Sequence, residues 1–283
     1  MLKKEMLMRK HGKRILFFLL AAFFAVNIWV FMLGQNETLN IAEFEIGSDK
    51  IENPVTIVQL SDLHEKSFGK DNAGLFAAVR SVQPDLIVIT GDIIYNSYTD
   101  SPNFPYMETL AKNCVQTAPS FFITGNHDRY HPQAVKEAFA KNGVTVLDGK
   151  VTSFNVGDTV LSIGGIDDPD IDPDSISGID FNGRENFCLL LAHRPGAFED
   201  YARAGADLVL AGHTHGGQVR LPWTKAIFYA DGGFFPEYSD GLYTKDGAAM
   251  VISMGLGSSV IPFRLFARPE ITVTRLLPAA AGS

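Results

Sequence analysis

The sequence predicts an α/β protein: two sheets stacked face to face and covered by helices. Three observations carry this. Short apolar, β-branched runs alternate with amphipathic stretches, the pattern of parallel strands joined by crossover helices. Two regions, 144–165 and 248–277, hold strand-like runs without an intervening helix and so add mixed or antiparallel strands. The 283 residues can bury such a core, an α/β domain of roughly 250 residues being ordinary.

The first element is apolar. "ILFFLLAAFFAVNIWVFML" (15–33) has Asn27 as its only polar residue. That is close to the ~20 residues a helix needs to cross a bilayer. Lys3, Lys4, Arg9, Lys10, Lys13 and Arg14 precede it, so the positive-inside rule places segment 1–14 in the cytoplasm and the rest of the chain across the membrane. An uncleaved signal anchor is expected. A cleaved signal peptide has a shorter apolar region and a small-x-small site, for which "VFMLGQNE" is a poor match. Residues 34–53 read as a polar linker with one edge strand, "TLNIAEFEI", and residues 54–283 form the folded body.

Within the body, "VTIVQL" (55–60) reads as a strand followed by a helix over 72–82. "DLIVIT" (85–90) precedes a helix over 106–116 that contains Cys114. "SFFIT" (120–124) precedes a helix over 132–143, which Gly143 terminates. "TVLSIGG" (159–165), "FCLLLAH" (187–193) and "DLVLAG" (207–212) are further strands, with a helix over 196–205 before the last. "AAMVISMG" and "EITVTRLL" close the chain as strands. The acidic, Pro-rich segment 167–185 reads as a surface excursion.

Composition excludes several functions. Up to Leu33 the chain carries six Lys/Arg and one Glu, leaving 18 basic and 31 acidic residues beyond, a net −13. A body that acidic is unsuited to holding nucleic acid through its phosphates. Cys114 and Cys188, far apart in apolar surroundings, make neither a disulfide framework nor a Cys-rich zinc site.

The chemistry lies at the ends of the strands. "VTIVQL" ends in Ser61-Asp62-Leu63-His64, and "DLIVIT" in Gly91-Asp92. "SFFIT" ends in Gly125-Asn126-His127-Asp128, "FCLLLA" in His193, and "DLVLA" in Gly212-His213-Thr214-His215. Singly, each has an ordinary explanation, such as an N-cap or a loop turn. Together they place five of seven histidines at the carboxyl edge where α/β sheets bind ligands. Nitrogen and oxygen donors without thiolate suit Mn²⁺, Fe²⁺ or Zn²⁺. In extended backbone Asp62 and His64 would point the same way and grip one ion. His213 and His215, roughly 6.6 Å apart along a strand, would each reach a different ion. Asp92 is the natural bridge between two such ions.

The ordered set D-x-H, G-D, G-N-H-D, H and G-H-T-H resembles the metallophosphoesterase (calcineurin-like) superfamily over residues ~55–260. The resemblance implies a four-layer αββα sandwich of two mixed β-sheets flanked by helices. It implies two divalent ions, the first held by Asp62, His64 and His215, the second by Asn126, His193 and His213, with Asp92 shared. It implies that His127 protonates the leaving group or stabilises transition-state charge, that Asp128 hydrogen-bonds that histidine, and that hydroxide held between the ions attacks phosphorus in line. "SDLH", "GNHD", "AHRP", "GHTHGGQVRLP" and "RLFARPEITV" are more similar to a membrane-anchored branch of cell-envelope phosphoesterases, which includes enzymes similar to UDP-2,3-diacylglucosamine pyrophosphatases. Ile93-Ile94-Tyr95 departs from the further acidic residue that relatives often carry there.

The expected protein is a single-pass membrane phosphoesterase acting outside the cytoplasm. Its substrate would be a phosphodiester, phosphomonoester or pyrophosphate of an envelope or lipid-linked small molecule. A protein or small-molecule phosphomonoesterase is one alternative. A metal-binding scaffold without turnover is another, against which the intact His127-Asp128 pair argues. The aromatic-rich stretches 228–243 and 255–269 are candidates for the substrate border, and Arg220, Arg264 and Arg268 for phosphate contacts.

Overall fold

A computed structural model describes residues 2–95, 102–229, 231–259 and 261–279. Ala230 and Val260 of the two aromatic-rich stretches lie outside the described residues, as do the side chains of Lys3, Lys4, Arg9 and Lys10. Helix α1 (Leu2–Glu37) contains the apolar run and is long and apolar enough to cross a membrane. The expected linker is largely absent. Only Thr38 and Leu39 separate α1 from β1 (Asn40–Ser48), a strand paired in parallel with β14 (Glu270–Pro278) from Asn40↔Glu270 to Ser48↔Pro278.

Two six-stranded mixed sheets build the body. The first contains β2 (Val55–Leu60), β3 (Leu86–Thr90), β4 (Ser120–Ile123) and β5 (Thr145–Val146), in the order β1-β14-β2-β3-β4-β5. β14 runs antiparallel to β2, while β2 to β5 are parallel. The second sheet adds β6 (Lys150–Val156), β7 (Thr159–Gly165), β8 (Phe187–Leu191) and β9 (Leu208–Ala211). A two-stranded ribbon, β10 (Phe228–Tyr229) with β11 (Gly233–Phe234), stands apart from both sheets. With β12 (Gly241–Lys245) and β13 (Ala248–Ile252), the second sheet reads β12-β13-β9-β8-β7-β6. Its centre is parallel and its two edge strands are antiparallel, as the helix-free regions predicted.

Alternation along the strands explains the layers. In β3, Leu86 and Val88 enter the core between the sheets, where they meet residues such as Leu189 and Leu210. Ile87 and Ile89 face the other way, onto α2 (Ala73–Ser81), α3 (Phe104–Thr117) and α4 (Pro132–Lys141) through Phe76, Leu110 and Phe139. Leu190, Val209 and Met250 cover the outer face of the second sheet with Phe198 and Tyr201 of α5 (Phe198–Arg203). Central strands buried on both faces read as continuous apolar runs for this reason. Gly143, at φ +90°, follows α4 as expected. Segment 167–185 is more than a surface excursion. Asp167 accepts from Thr124 Oγ1 (2.6 Å) and Lys136 Nζ (2.5 Å), and Ile179 and Phe181 are buried in the outer layer. Cys114 and Cys188 are buried free thiols.

Candidate metal centre

The loops after β2, β3, β4, β8 and β9 meet at one edge of the sandwich. Backbone bonds zip the first two together: Asp62 N–H to Gly91 O (3.0 Å), His64 N–H to Asp92 O (3.0 Å) and Glu65 N–H to Ile93 O (2.9 Å). This backbone is not extended, contrary to the expectation for Asp62 and His64. Asp62 (φ 54°), His64 (φ 46°), Asp92 (φ 55°), His213 (φ 72°) and His215 (φ 51°) are all left-handed. His213 and His215 also lie beyond β9 rather than along it. Left-handed backbone costs a non-glycine residue roughly 1–2 kcal/mol, so the packing of the loops must hold all five in place. Two glycines make room. A Cβ on Gly125 would overlap the Asp92 carboxylate, and one on Gly212 would overlap Ser61 Oγ.

The result is two groups of donors that share one carboxylate. Asp62, His64, Asp92 and His215 form the first and Asp92, His193 and His213 the second, the ligand atoms in each lying within 4.8 Å of one another. His64 Nε2 lies 3.2 Å from His215 Nε2 and 3.7 Å from Asp92 Oδ2. His215 Nε2 is 3.5 Å from Asp62 Oδ1, and His193 Nε2 is 3.3 Å from Asp92 Oδ2. Asn126 Oδ1 completes the second group, 3.0 Å from His193 Nε2 and 2.8 Å from His213 Nδ1. All seven expected ligands therefore converge. Buried nitrogens and oxygens facing one another, with no thiolate among them, suit divalent cations.

Groups behind the imidazoles orient them. His193 Nδ1 faces Thr90 O at 2.7 Å and His213 Nε2 faces Asp231 Oδ2 at 2.7 Å, so an N–H on each turns the opposite nitrogen toward the site. On the other side, the Arg264 guanidinium stands behind His215, its Nη2 3.1 Å from His215 Nδ1. Burial lowers His64 to about 4, against the pull of Asp92, and burial with His64 and Arg264 holds His215 well below its ordinary value. Burial opposes a charge on His193 too, but the Asp92 carboxylate lifts that ring to about 10. Burial also opposes charge on Asp92, which the facing histidines nevertheless hold well below the usual carboxylate range.

The family profile described as "Calcineurin-like phosphoesterase" matches residues 55–217, more than half of the chain. This chain belongs to the calcineurin-like phosphoesterase family. It is similar to the "Uncharacterized metallophosphoesterase YkuE" of Bacillus subtilis (strain 168), with 32% identity over 78% of each chain. It is also similar to the "Phosphodiesterase YaeI" of Escherichia coli (strain K12), with 29% identity over 79% of this chain and 83% of that one. Among solved structures it resembles an archaeal phosphodiesterase at 14% identity and a TM-score of 0.40, covering 71% of this chain and 84% of the other. The protein is a hydrolase, and members of this family use divalent metals.

In this phosphoesterase, His127 lines a cavity of about 340 Å³ together with Asp92, Asn126, His213 and His215. Its Nε2 is 3.4 Å from Ser259 Oγ and 4.0 Å from Asp92 Oδ2, and burial lowers its pKa. Asp128 does not play the expected part. Its carboxylate accepts from the backbone N–H groups of Gly125 (2.8 Å), Asp92 (2.9 Å) and Ile93 (3.2 Å), not from the His127 ring. The residue has turned inward, where burial and the Asp92 charge raise its carboxyl to about 7. It clamps the loops that carry Asp92 and Asn126. The arginine expectations change as well. Arg264 is fully buried, stands behind His215 and donates to Gly257 O (2.8 Å) and Met254 O (2.9 Å), while Arg220 pairs with Asp240 (3.0 Å). Arg268 is exposed. Sequence reasoning missed Asp231 and Arg194, which pair with each other at 2.5 Å, Arg194 also holding Asp168 at 2.7 Å. Arg194 directly follows His193 in "AHRP" and so carried a signal; Asp231, in "YADGG", carried none.

Proposed function

We propose that the protein is a dinuclear, membrane-anchored phosphodiesterase working on the extracytoplasmic side of the cell membrane. Asp62, His64 and His215 hold one divalent ion (Mn²⁺, Zn²⁺ or Fe²⁺), Asn126, His193 and His213 hold the other, and Asp92 serves both. The observation that carries this is the membership of Asp92 in both donor groups. When bound, two such ions neutralise phosphoryl charge and lower the pKa of a water into the neutral range. The remaining work belongs to side chains. Asp92 Oδ1 accepts the His127 backbone N–H (2.7 Å), which holds that residue's backbone at the cavity wall. There His127 delivers a proton to the leaving oxygen. Phe228 and Ile261 give the cavity border apolar surface.

Two observations favour a diester over a monoester. Among the described residues lining the cavity there is no Lys or Arg to meet the second charge of a monoester dianion. A relative also bears the name phosphodiesterase. Helix α1 supports the membrane reading by its length, its apolar run and the basic residues before it. The substrate proposed is a phosphorylated envelope or lipid-linked small molecule, in line with the UDP-2,3-diacylglucosamine pyrophosphatase-like branch.

The test uses the full chain in detergent, stripped of metal and reloaded with Mn²⁺, Zn²⁺ or Fe²⁺. Bis-nitrophenyl phosphate, a nitrophenyl monoester and UDP-diacylglucosamine are compared. Metal-dependent hydrolysis that favours a diester or pyrophosphate is expected. Preference for the monoester would overturn the diester reading.

A further inference from the structure

We infer that the loops around the cavity mouth form a membrane-seated face, whose occupant is the lipid bilayer that α1 crosses. This rests on the membrane-crossing reading of α1. Phe31 belongs to the apolar run 15–33, yet its ring packs on Phe266 of the body with centroids 5.7 Å apart. Gln35 Oε1 accepts the Phe266 N–H (2.9 Å), and Asn36 Oδ1 accepts the Arg264 N–H (2.7 Å). Lys66 Nζ donates to Asn36 O (2.5 Å). The body is thus clamped to α1 at the level of its last apolar turn. With only Thr38 and Leu39 between helix and sheet, it cannot swing free of the lipid.

The clamp continues into the loops. Leu265 N–H donates to Gln218 O (2.8 Å), and Arg220 N–H donates to Leu265 O (3.0 Å). Exposed large apolar side chains concentrate there: of twelve beyond residue 40 among the described residues, eight lie in 221–235 and 261–266. Trp223 is fully exposed, at the tip of a turn with φ 63°, and Phe234 and Phe235 are 74% and 80% exposed. Soluble monomers seldom gather such a patch, whereas Trp and other amphipathic rings are enriched at the membrane–water interface. The net −13 of the body makes the contact apolar rather than an attraction to anionic lipid. Phe228 and Ile261 line the cavity itself, so the apolar face runs into the metal centre. The substrate class this fits is an amphiphilic phosphodiester whose chains stay in the bilayer.

The chain has two tryptophans, Trp29 in α1 and Trp223, which permits a clean test. The full chain is reconstituted in phosphatidylcholine vesicles as Trp29→Phe, leaving Trp223, and as Trp223→Phe, leaving Trp29. Quenching is read with bromine-labelled lipids and with aqueous iodide. The expected result is lipid quenching of Trp223, strongest for a label near the headgroup, with iodide quenching severalfold below that of the urea-unfolded chain. Trp223 open to iodide and untouched by lipid label, or shielded from both as in a protein contact, overturns the inference while lipid-quenched Trp29 leaves the anchor standing. Failure of deep label to quench Trp29 instead overturns the membrane reading itself. As an independent check, Phe234→Ser with Phe235→Ser should lose severalfold in hydrolysis of a bilayer-embedded phosphodiester and keep its rate on soluble bis-nitrophenyl phosphate. Equal losses on both would count against the membrane-seated face.

Discussion

The two halves of the proposed metal centre differ in their oxygen donor, the Asp62 carboxylate in one and the neutral Asn126 amide in the other, and they are backed by opposite charges. Behind His215 stands the buried guanidinium of Arg264, and His64 has a buried Nδ1 with no hydrogen-bond partner among the described residues. Behind His213 stands the Asp231 carboxylate, and behind His193 the carbonyl of Thr90. An acceptor behind an imidazole raises its basicity as a ligand, and a cation behind it lowers that basicity. The difference teaches that one Asp92 can serve two unequal ions. The Asn126–His193–His213 half should owe more of its affinity to the groups behind its imidazoles, and the other half more to the Asp62 carboxylate.

The largest expected effect removes the comparison altogether. Asp92→Ala should empty both halves and lower the hydrolysis of bis-nitrophenyl phosphate roughly 10⁴-fold, since each ion contributes several kcal/mol to the barrier. Metal analysis showing one ion retained would mean that Asp92 is not shared. His127→Ala comes next, with a loss of about a hundredfold on alkyl esters and little on nitrophenyl esters, as for a removed general acid. Its metal content should stay at two, which separates proton delivery from ion binding.

Asp231→Asn bears directly on the inequality. It should weaken the ion of the Asn126–His193–His213 half about tenfold, the usual cost of removing an orienting partner, and leave the other ion alone. A competitive chelator titration reads both steps, and an unchanged titration, or equal shifts in both steps, would count against this role for Asp231. The smallest effect concerns pH. His193 is raised from 6.5 to about 10 in the folded chain, so its proton stabilises the metal-free protein fully below pH 6.5. That contribution is lost as pH climbs through about 10. The melting temperature of metal-free protein should therefore fall over that window more than that of His193→Gln. Because a ligand histidine must be neutral, metal uptake near pH 8 should release about one proton from this ring. Calorimetry in buffers of different ionisation enthalpy checks this. Proton release unchanged in His193→Gln would argue against it.

Much of this protein was legible from its residues. Alternating apolar runs and helices define the strands and their order along the chain, because burial on both faces leaves a continuous apolar signature. The seven candidate ligands were legible for a related reason: polar residues that interrupt such runs at their carboxyl ends stand out. Pairing was less so. β1 reads as an edge strand in the sequence, but only contact with β14, some 230 residues away, makes it part of the first sheet.

Some features arise only when distant segments meet. Asp128 belongs to "GNHD" by sequence, yet its carboxylate faces backbone N–H groups, because the loop carrying Asp92 closes over it. Asp231 reaches His213 from a ribbon outside both sheets, and Arg264 reaches His215 across 49 residues. The composition of each strand end is local chemistry, so the sequence alone determined the donor set and its suitability for divalent ions. The charge behind each imidazole depends on through-space contacts between segments with no common periodicity, so only the tertiary structure decided which half of the centre is backed by a cation and which by a carboxylate.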